Sequence, residues 1–177
     1  MHLITKAALV FAALSLAACN NPDKFGAGSG AGMGGGGMGA GNGIGTAALG
    51  DPSDPTSPAY FQQNIGDRVF FAVDQSTLSS DARAMLALQA DWLGRNPSYG
   101  VVIEGHADEQ GTREYNLALG ARRANAAVEY LISQGVAAGR MRTVSYGKER
   151  PVEICSDEAC YSRNRRAVTV ITTGGNV

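Results

Sequence analysis

Apolar and polar positions along the C-terminal two thirds of the chain alternate between the periods of strands and helices. Arg68-Val69-Phe70-Phe71-Ala72-Val73 is aromatic and β-branched, and predicts a strand. Leu78-Ser79-Ser80-Asp81 then predicts a helix start, with Ser79 or Ser80 as the cap and Asp81 in the first turn. Leu78, Ala82, Met85, Leu86 and Leu93 fall on one side of that helix. Asn96-Pro97 ends it, because a residue before proline is pushed out of the α region. A second strand is predicted over Tyr99 to Gly105 and a second helix over Thr112 to Gln134, closed by Gly135. On that helix Leu117, Ala121, Ala124, Val128 and Leu131 recur at helical spacing and make the expected buried stripe. Asn116, Gly120, Arg123, Ala127 and Tyr130 make a neighbouring face. Arg142 to Tyr146 predicts a third strand, Glu158 to Asn164 a short helix and Arg166 to Thr172 a last strand. The expected fold class is α+β: a βαβα-ββ order, with helices packed as one layer on a single mixed sheet. The two crossover helices allow some strands to pair in parallel.

The N-terminal third has a different texture. Ala7 to Ala18 is an apolar run too short to span a hydrocarbon core, which needs about 20 residues. It fits the apolar part of a secretory signal over residues 1–18. Leu16-Ala17-Ala18-Cys19 resembles a bacterial lipobox, which implies acylation of Cys19, with palmitate-like chains. The alternative is an ordinary signal peptide with a chance cysteine. Several acyl chains, at about 0.8 kcal/mol per buried CH₂, anchor a protein stably. Asn20, where inner-membrane lipoproteins usually carry Asp, favours the outer membrane, with the rest of the chain facing the periplasm. Gly26 to Gly50 is about half glycine and cannot build a core. With the Pro-rich stretch Asp51 to Pro58 it predicts a tether over residues 19–64, with a typical reach of about 35–40 Å. Residues 65–177 are then one domain, large enough for its own core.

Net charge is −1, which gives no reason to expect nucleic acid as a partner. Setting Cys19 aside leaves Cys155 and Cys160, for which a disulfide is the default in an exported protein. A metal site is the alternative, but two thiolates with no histidine nearby in sequence are too few for a closed zinc site. His106-Ala107-Asp108-Glu109 has the residue types for metal or acid–base chemistry. One histidine at a strand end is more often structural, and no nucleophile elbow, zinc-protease or phosphate-loop motif is present. The reading is a binding protein without catalytic residues, metal or cofactor.

The candidate binding pair is Asp108 and Arg123, fifteen residues apart across a strand-to-helix turn. A carboxylate and a guanidinium suit a zwitterion with an amine and a carboxylate on one carbon, because the guanidinium can grip the carboxylate with two parallel hydrogen bonds. Arg123 lies about 15 Å along the helix by rise, so the preceding loop must fold back for the two to meet.

Glu104 to Gly111, Glu114-Tyr115-Asn116, Arg122 to Ala126, Val144 to Glu149 and Asn164-Arg165-Arg166-Ala167-Val168 together resemble the OmpA-like domain family, most nearly its Pal-type lipoproteins. The resemblance runs from about Val69 to Val170. It implies a two-layer sandwich that binds peptidoglycan noncovalently through meso-diaminopimelate. It also implies that Asp108 takes the ammonium and Arg123 the carboxylate, with Asp74, Thr112, Asn116 and Leu119 in support. The Tol–Pal system, with TolB as a partner, and roles in envelope integrity and cell division are further implications. The alternative is another OmpA-like wall-anchoring lipoprotein without Tol partners. Gly120 and Ala127 depart from the wider family, which often has Ser and Val at those positions.

Cys19→Ser is expected to abolish acylation, because a hydroxyl does not replace the thiolate. Metabolic labelling with a radioactive fatty acid checks this, and persistent label on the variant would exclude Cys19 as the anchor.

Overall fold

The computed structural model describes residues 49–154 and 156–173. The proposed signal segment, Cys19, most of the tether and Cys155 lie outside them. In chain order the elements are α1 (Pro58–Tyr60), β1 (Arg68–Phe70), α2 (Ser80–Arg95), β2 (Tyr99–His106), α3 (Arg113–Ser133), β3 (Met141–Gly147), α4 (Glu158–Asn164) and β4 (Arg166–Thr173). The sheet order is β1-β4-β2-β3, with β2 and β3 parallel and both pairings of β4 antiparallel. This is the expected α+β class: one mixed sheet with α2 and α3 on one face. Among the described residues no helix is long and apolar enough to cross a membrane.

Local chemistry sets the helix ends. Ser79 Oγ accepts from the Ala82 amide at 3.1 Å, and Thr112 Oγ1 from the Tyr115 amide at 3.2 Å. Gly135, at φ 94°, follows α3 in the left-handed conformation. The core lies between the helices and the sheet, with Leu86, Leu93, Val101, Ile103, Ala124 and Leu131 fully buried. Gln89 sits in this core fully buried and satisfied, donating to the Gly66 carbonyl and accepting from Thr169 Oγ1.

Three expectations need correction. First, the tether does not run to residue 64. Pro58–Tyr60 and the wider turn Phe61–Gly66 are helical, and Phe61 is fully buried with its ring 4.9 Å from that of Trp92. Trp92 Nε1 also donates to the Pro55 carbonyl at 2.8 Å. The Pro/Asp/Ser stretch folds through side-chain turns, in which Asp51 and Asp54 accept from the Ser53 and Thr56 amides. Such turns carry no hydrophobic period.

Second, β1 stops at Phe70 instead of continuing to Val73. Phe71 still donates to the Arg165 carbonyl, but the Gln75 amide turns back to the Ala72 carbonyl and Asp74 adopts φ 56°.

Third, the buried face of α3 is rotated from the apolar stripe. Leu117 is 49% exposed, while Asn116, Leu119, Gly120, Arg123, Ala124, Ala127 and Leu131 are buried. The rotation follows from close approach of α3 to the sheet. A Cβ on Gly105 would stand 1.9 Å from the Gly120 carbonyl oxygen, and one on Gly120 would stand 2.4 Å from Ser145 Oγ. Ser145 Oγ donates to the Leu117 carbonyl, so it fills the space that a larger residue at 120 would need.

Cys160 lies half-buried on α4 and is not a free thiol. Its predicted disulfide partner, Cys155, is outside the described residues.

Gly105→Ala is expected to destabilise the domain by at least about 1–3 kcal/mol, the usual cost of overpacking, because the clash is with backbone. Urea unfolding followed by circular dichroism measures this; an unchanged midpoint would contradict the contact between Gly105 and Gly120.

Candidate functional site

The chain turns sharply after β1 and again after β2, and the two turns meet beside the start of α3. Between them is a cavity of about 220 Å³ lined by Val73 and Asp74 from the first turn, Asp108, Gln110 and Gly111 from the second, and Tyr115, Asn116 and Leu119 from α3. Gly111, at φ 91°, lets the second turn close onto the helix N-terminus. Lys148 ties the same loop from outside, donating to the Glu109 carbonyl at 3.3 Å and the Gly111 carbonyl at 2.7 Å.

The cavity is acidic. Asp74 is exposed, and one of its carboxylate oxygens accepts from the Tyr115 hydroxyl. Asp108 is 8% exposed; Oδ1 accepts from the Gln110 amide at 3.2 Å and Oδ2 from Arg165 Nη1 at 3.1 Å. Asn116 is fully buried and donates from Nδ2 to the Gln110 carbonyl at 2.7 Å, which fixes its amide orientation. Its Oδ1 has no partner among the described residues. A buried acceptor without a donor costs about 1–3 kcal/mol, so this atom marks the place where a donor is wanted.

Arg123 is positioned differently from the simple expectation. It is fully buried and is not among the residues lining the cavity. Nε donates to the Gln75 carbonyl at 2.8 Å, Nη1 to the His106 carbonyl at 2.8 Å and Nη2 to the Ala72 carbonyl at 3.2 Å. The guanidinium carbon lies 5.3 Å from the centre of the Phe71 ring. Arg123 thus ties α3 to the turn after β1 and to the end of β2, while the turn after β2 folds back onto α3 through the Asn116 bond to the Gln110 carbonyl. Burial lowers its pKa to about 10, partly offset by the nearby Asp108 carboxylate, so it stays charged at neutral pH. A guanidinium has five N–H donors, and three are engaged here.

Of the expected supporting residues, Asp74, Asn116 and Leu119 line the cavity, while Thr112 acts as the cap of α3. Tyr115 and Gln110 line it without having been expected. Arg165 has the largest role that sequence reasoning missed. It is the buried counter-charge of Asp108, and it also pairs with Glu158. Burial works to lower the Arg165 pKa, but the hydrogen bonds to Glu158 and Asp108 outweigh it and hold the group above its ordinary value. An Asn-Arg-Arg run opening a strand was the available signal, because a cation heading a buried strand needs a partner.

His106 is 2% exposed, and neither ring nitrogen has a hydrogen bond among the described residues. Its Nε2 lies 3.7 Å from Glu104 Oε2, beyond hydrogen-bond length. Among the described residues no group of three or more His, Cys, Asp and Glu is arranged to hold a metal ion.

An α+β domain with an acidic, loop-built cavity beside a helix start is the class of structure these residues define. Residues 70–165 match the OmpA family. The chain belongs to the OmpA family. Peptidoglycan-associated lipoprotein of Rhizobium meliloti is 58% identical over 122 residues, 69% of each chain, and that of Agrobacterium fabrum is 54% identical over 132 residues, 75% of this chain and 74% of the other. The crystal structure of the peptidoglycan-associated lipoprotein from Burkholderia pseudomallei is similar at a TM-score of 0.61 and 40% identity, covering 69% of this chain and all of that one. The C-terminal domain of Helicobacter pylori MotB, at 19% identity and a TM-score of 0.57, shares the fold.

Burial pushes the His106 pKa down, against the opposing pull of Glu104. The unfolded chain therefore binds more protons once the pH drops below the ordinary histidine value of about 6.5. Stability is expected to be full above that pH and to fall below it, by at most about 1.4 kcal/mol per pH unit. Urea midpoints measured from pH 7.5 to 5.5 check the sign. His106→Gln should flatten this dependence, and an equal slope in the variant would remove His106 as its source.

Proposed function

We propose that this chain is a lipid-anchored protein of the outer membrane that binds peptidoglycan noncovalently from the periplasmic side. It belongs, on this reading, to the Tol–Pal system, with TolB as a partner and a role in envelope integrity during cell division. The relatives named peptidoglycan-associated lipoprotein support the wall partner, and the sequence resemblance supports the Tol connection. Residues 1–18 are the signal segment, Cys19 is the acylated residue, and Cys155 and Cys160 form a disulfide.

The proposed ligand is the free end of meso-diaminopimelate in the wall peptide. The single observation that carries this is the unpartnered Asn116 Oδ1 in a cavity that also holds Asp74 and Asp108. Three acceptors around one space suit the three N–H donors of an ammonium. The carboxylate on the same carbon needs a cation next to that space. Arg123 has two N–H groups left, one on each terminal nitrogen, which match the two oxygens of a carboxylate. Because Arg123 is fully covered by protein, this contact requires the cavity wall to part. Truncating Arg123 would strand three carbonyls, so a loss of binding in that variant would not separate recognition from folding.

The test therefore uses the carboxylates. Asp74→Asn and Asp108→Asn are each expected to weaken retention on purified sacculi by more than tenfold. The cost of leaving a charge unpaired in a partly desolvated site is about 2–5 kcal/mol. Thermal unfolding of each variant should stay cooperative. Sacculi whose peptides carry lysine, which lacks the distal carboxylate, should retain less of the wild-type protein. Equal retention on both walls, or normal binding by both variants, would contradict the diaminopimelate reading.

A further inference from the structure

Asp108 is held by residues that do not line the cavity. Its partner Arg165 lies between α4 and β4, with a side chain that is 5% exposed. Arg165 Nη1 donates to Asp108 Oδ2 at 3.1 Å, and Nε donates to the Phe71 carbonyl at 3.2 Å. Phe71 is where the chain leaves β1 and enters the turn that carries Asp74. One guanidinium thus holds both acidic arms of the cavity. Its orientation is set from the other side by Glu158 of α4. Nη1 lies 3.3 Å from Glu158 Oε2, and Nη2 pairs with Oε1. A forked contact of this kind fixes the plane of the guanidinium as well as its distance. Glu158 itself is 65% exposed on its side chain and is not among the residues lining the cavity.

We propose that Glu158 is a positioning residue for the cavity, acting through Arg165. By gripping both terminal nitrogens it sets the direction from which Arg165 holds Asp108 and Phe71, and it draws part of the Arg165 charge away from Asp108. The inference rests on the reading of the cavity as the site for a ligand ammonium. With Glu158 present, two carboxylates share one guanidinium and the cluster carries a net negative charge. Without it the cluster is neutral, and a cation entering the cavity is attracted less. A purely structural role for Glu158, fastening α4 to the sheet, predicts something else. It would change stability and leave the cavity as it was. An ion pair with one exposed partner contributes little to stability, so the variants should fold.

The test uses the purified full-length chain, with free meso-diaminopimelate as the probe and calorimetry as the readout. Glu158→Gln is expected to weaken binding by about three- to tenfold at low salt, while Glu158→Asp, which keeps the charge, recovers most of the loss. A second readout needs no ligand. The Gln110 amide donates to Asp108 Oδ1 at 3.2 Å, so its hydrogen exchange by NMR reports how firmly Asp108 is held. Exchange at Gln110 should quicken in Glu158→Gln and return toward the wild-type rate in Glu158→Asp. Wild-type affinity together with wild-type exchange in Glu158→Gln would overturn the proposal, as would an Asp variant no better than the Gln variant. If the wild type itself does not bind the probe, the ammonium reading of the cavity falls and exchange alone decides. Faster exchange at Gln110 would then keep the positioning role, and unchanged exchange would remove it.

Discussion

The Arg123 guanidinium, buried beneath two turns, is the interaction on which the site depends. Among the described residues no carboxylate pairs with it directly. Its three hydrogen bonds go to carbonyls at Ala72, Gln75 and His106, drawn from the turn after β1 and the end of β2. Removing a charge from water is costly, and three well-directed carbonyls with the Asp108 field nearby offset that cost. The result is a joint between α3 and those two segments. Asp74 and Asp108 stand on those segments, so their separation is set by a residue that lines none of the cavity.

A second guanidinium completes the frame. Arg165 reaches the same two segments from the far side, through Phe71 and Asp108, and is oriented by Glu158. Its neighbour Asn164 is fully buried, donating to Glu109 and accepting from the Val152 and Glu153 amides. The loop after β2 is thus braced from α3, from α4 and, through Lys148, from the end of β3. Such bracing is what a recognition loop needs if ligand binding is not to be weakened by the cost of ordering it.

Much of the fold was legible because its signals are local. The cap at Ser79 or Ser80, the start of the second helix near Thr112, the break at Asn96-Pro97 and the short helix Glu158–Asn164 each follow from a few adjacent residues. The errors came where a distant partner overrides a local pattern. Leu117 matched the helical stripe but faces outward, because Gly120 seats α3 directly over Gly105 and turns the polar residues Asn116 and Arg123 inward. The stretch from Asp51 to Asn64 read as tether because its folding rests on Trp92, far away in sequence, receiving Phe61 and the Pro55 carbonyl. Of the site, Asp74, Asp108, Asn116 and Leu119 were named from sequence and do meet around one cavity.

By itself the sequence determined the order of the elements from β1 onward, the class of fold, a carboxylate at the turn after β2 and the need for that turn to fold back if it is to meet Arg123. Those follow from periodicity, capping and residue chemistry, which act over a turn or two of chain. Only the tertiary structure decided how the charges are shared. Arg123 became a clip for carbonyls rather than an open arm of the cavity, and Asp108 acquired Arg165 as its partner from a residue 57 positions away. The physical reason is that a buried charge is satisfied by whichever dipoles and counter-charges the packed chain brings within about 3 Å, and sequence separation carries no information about that distance.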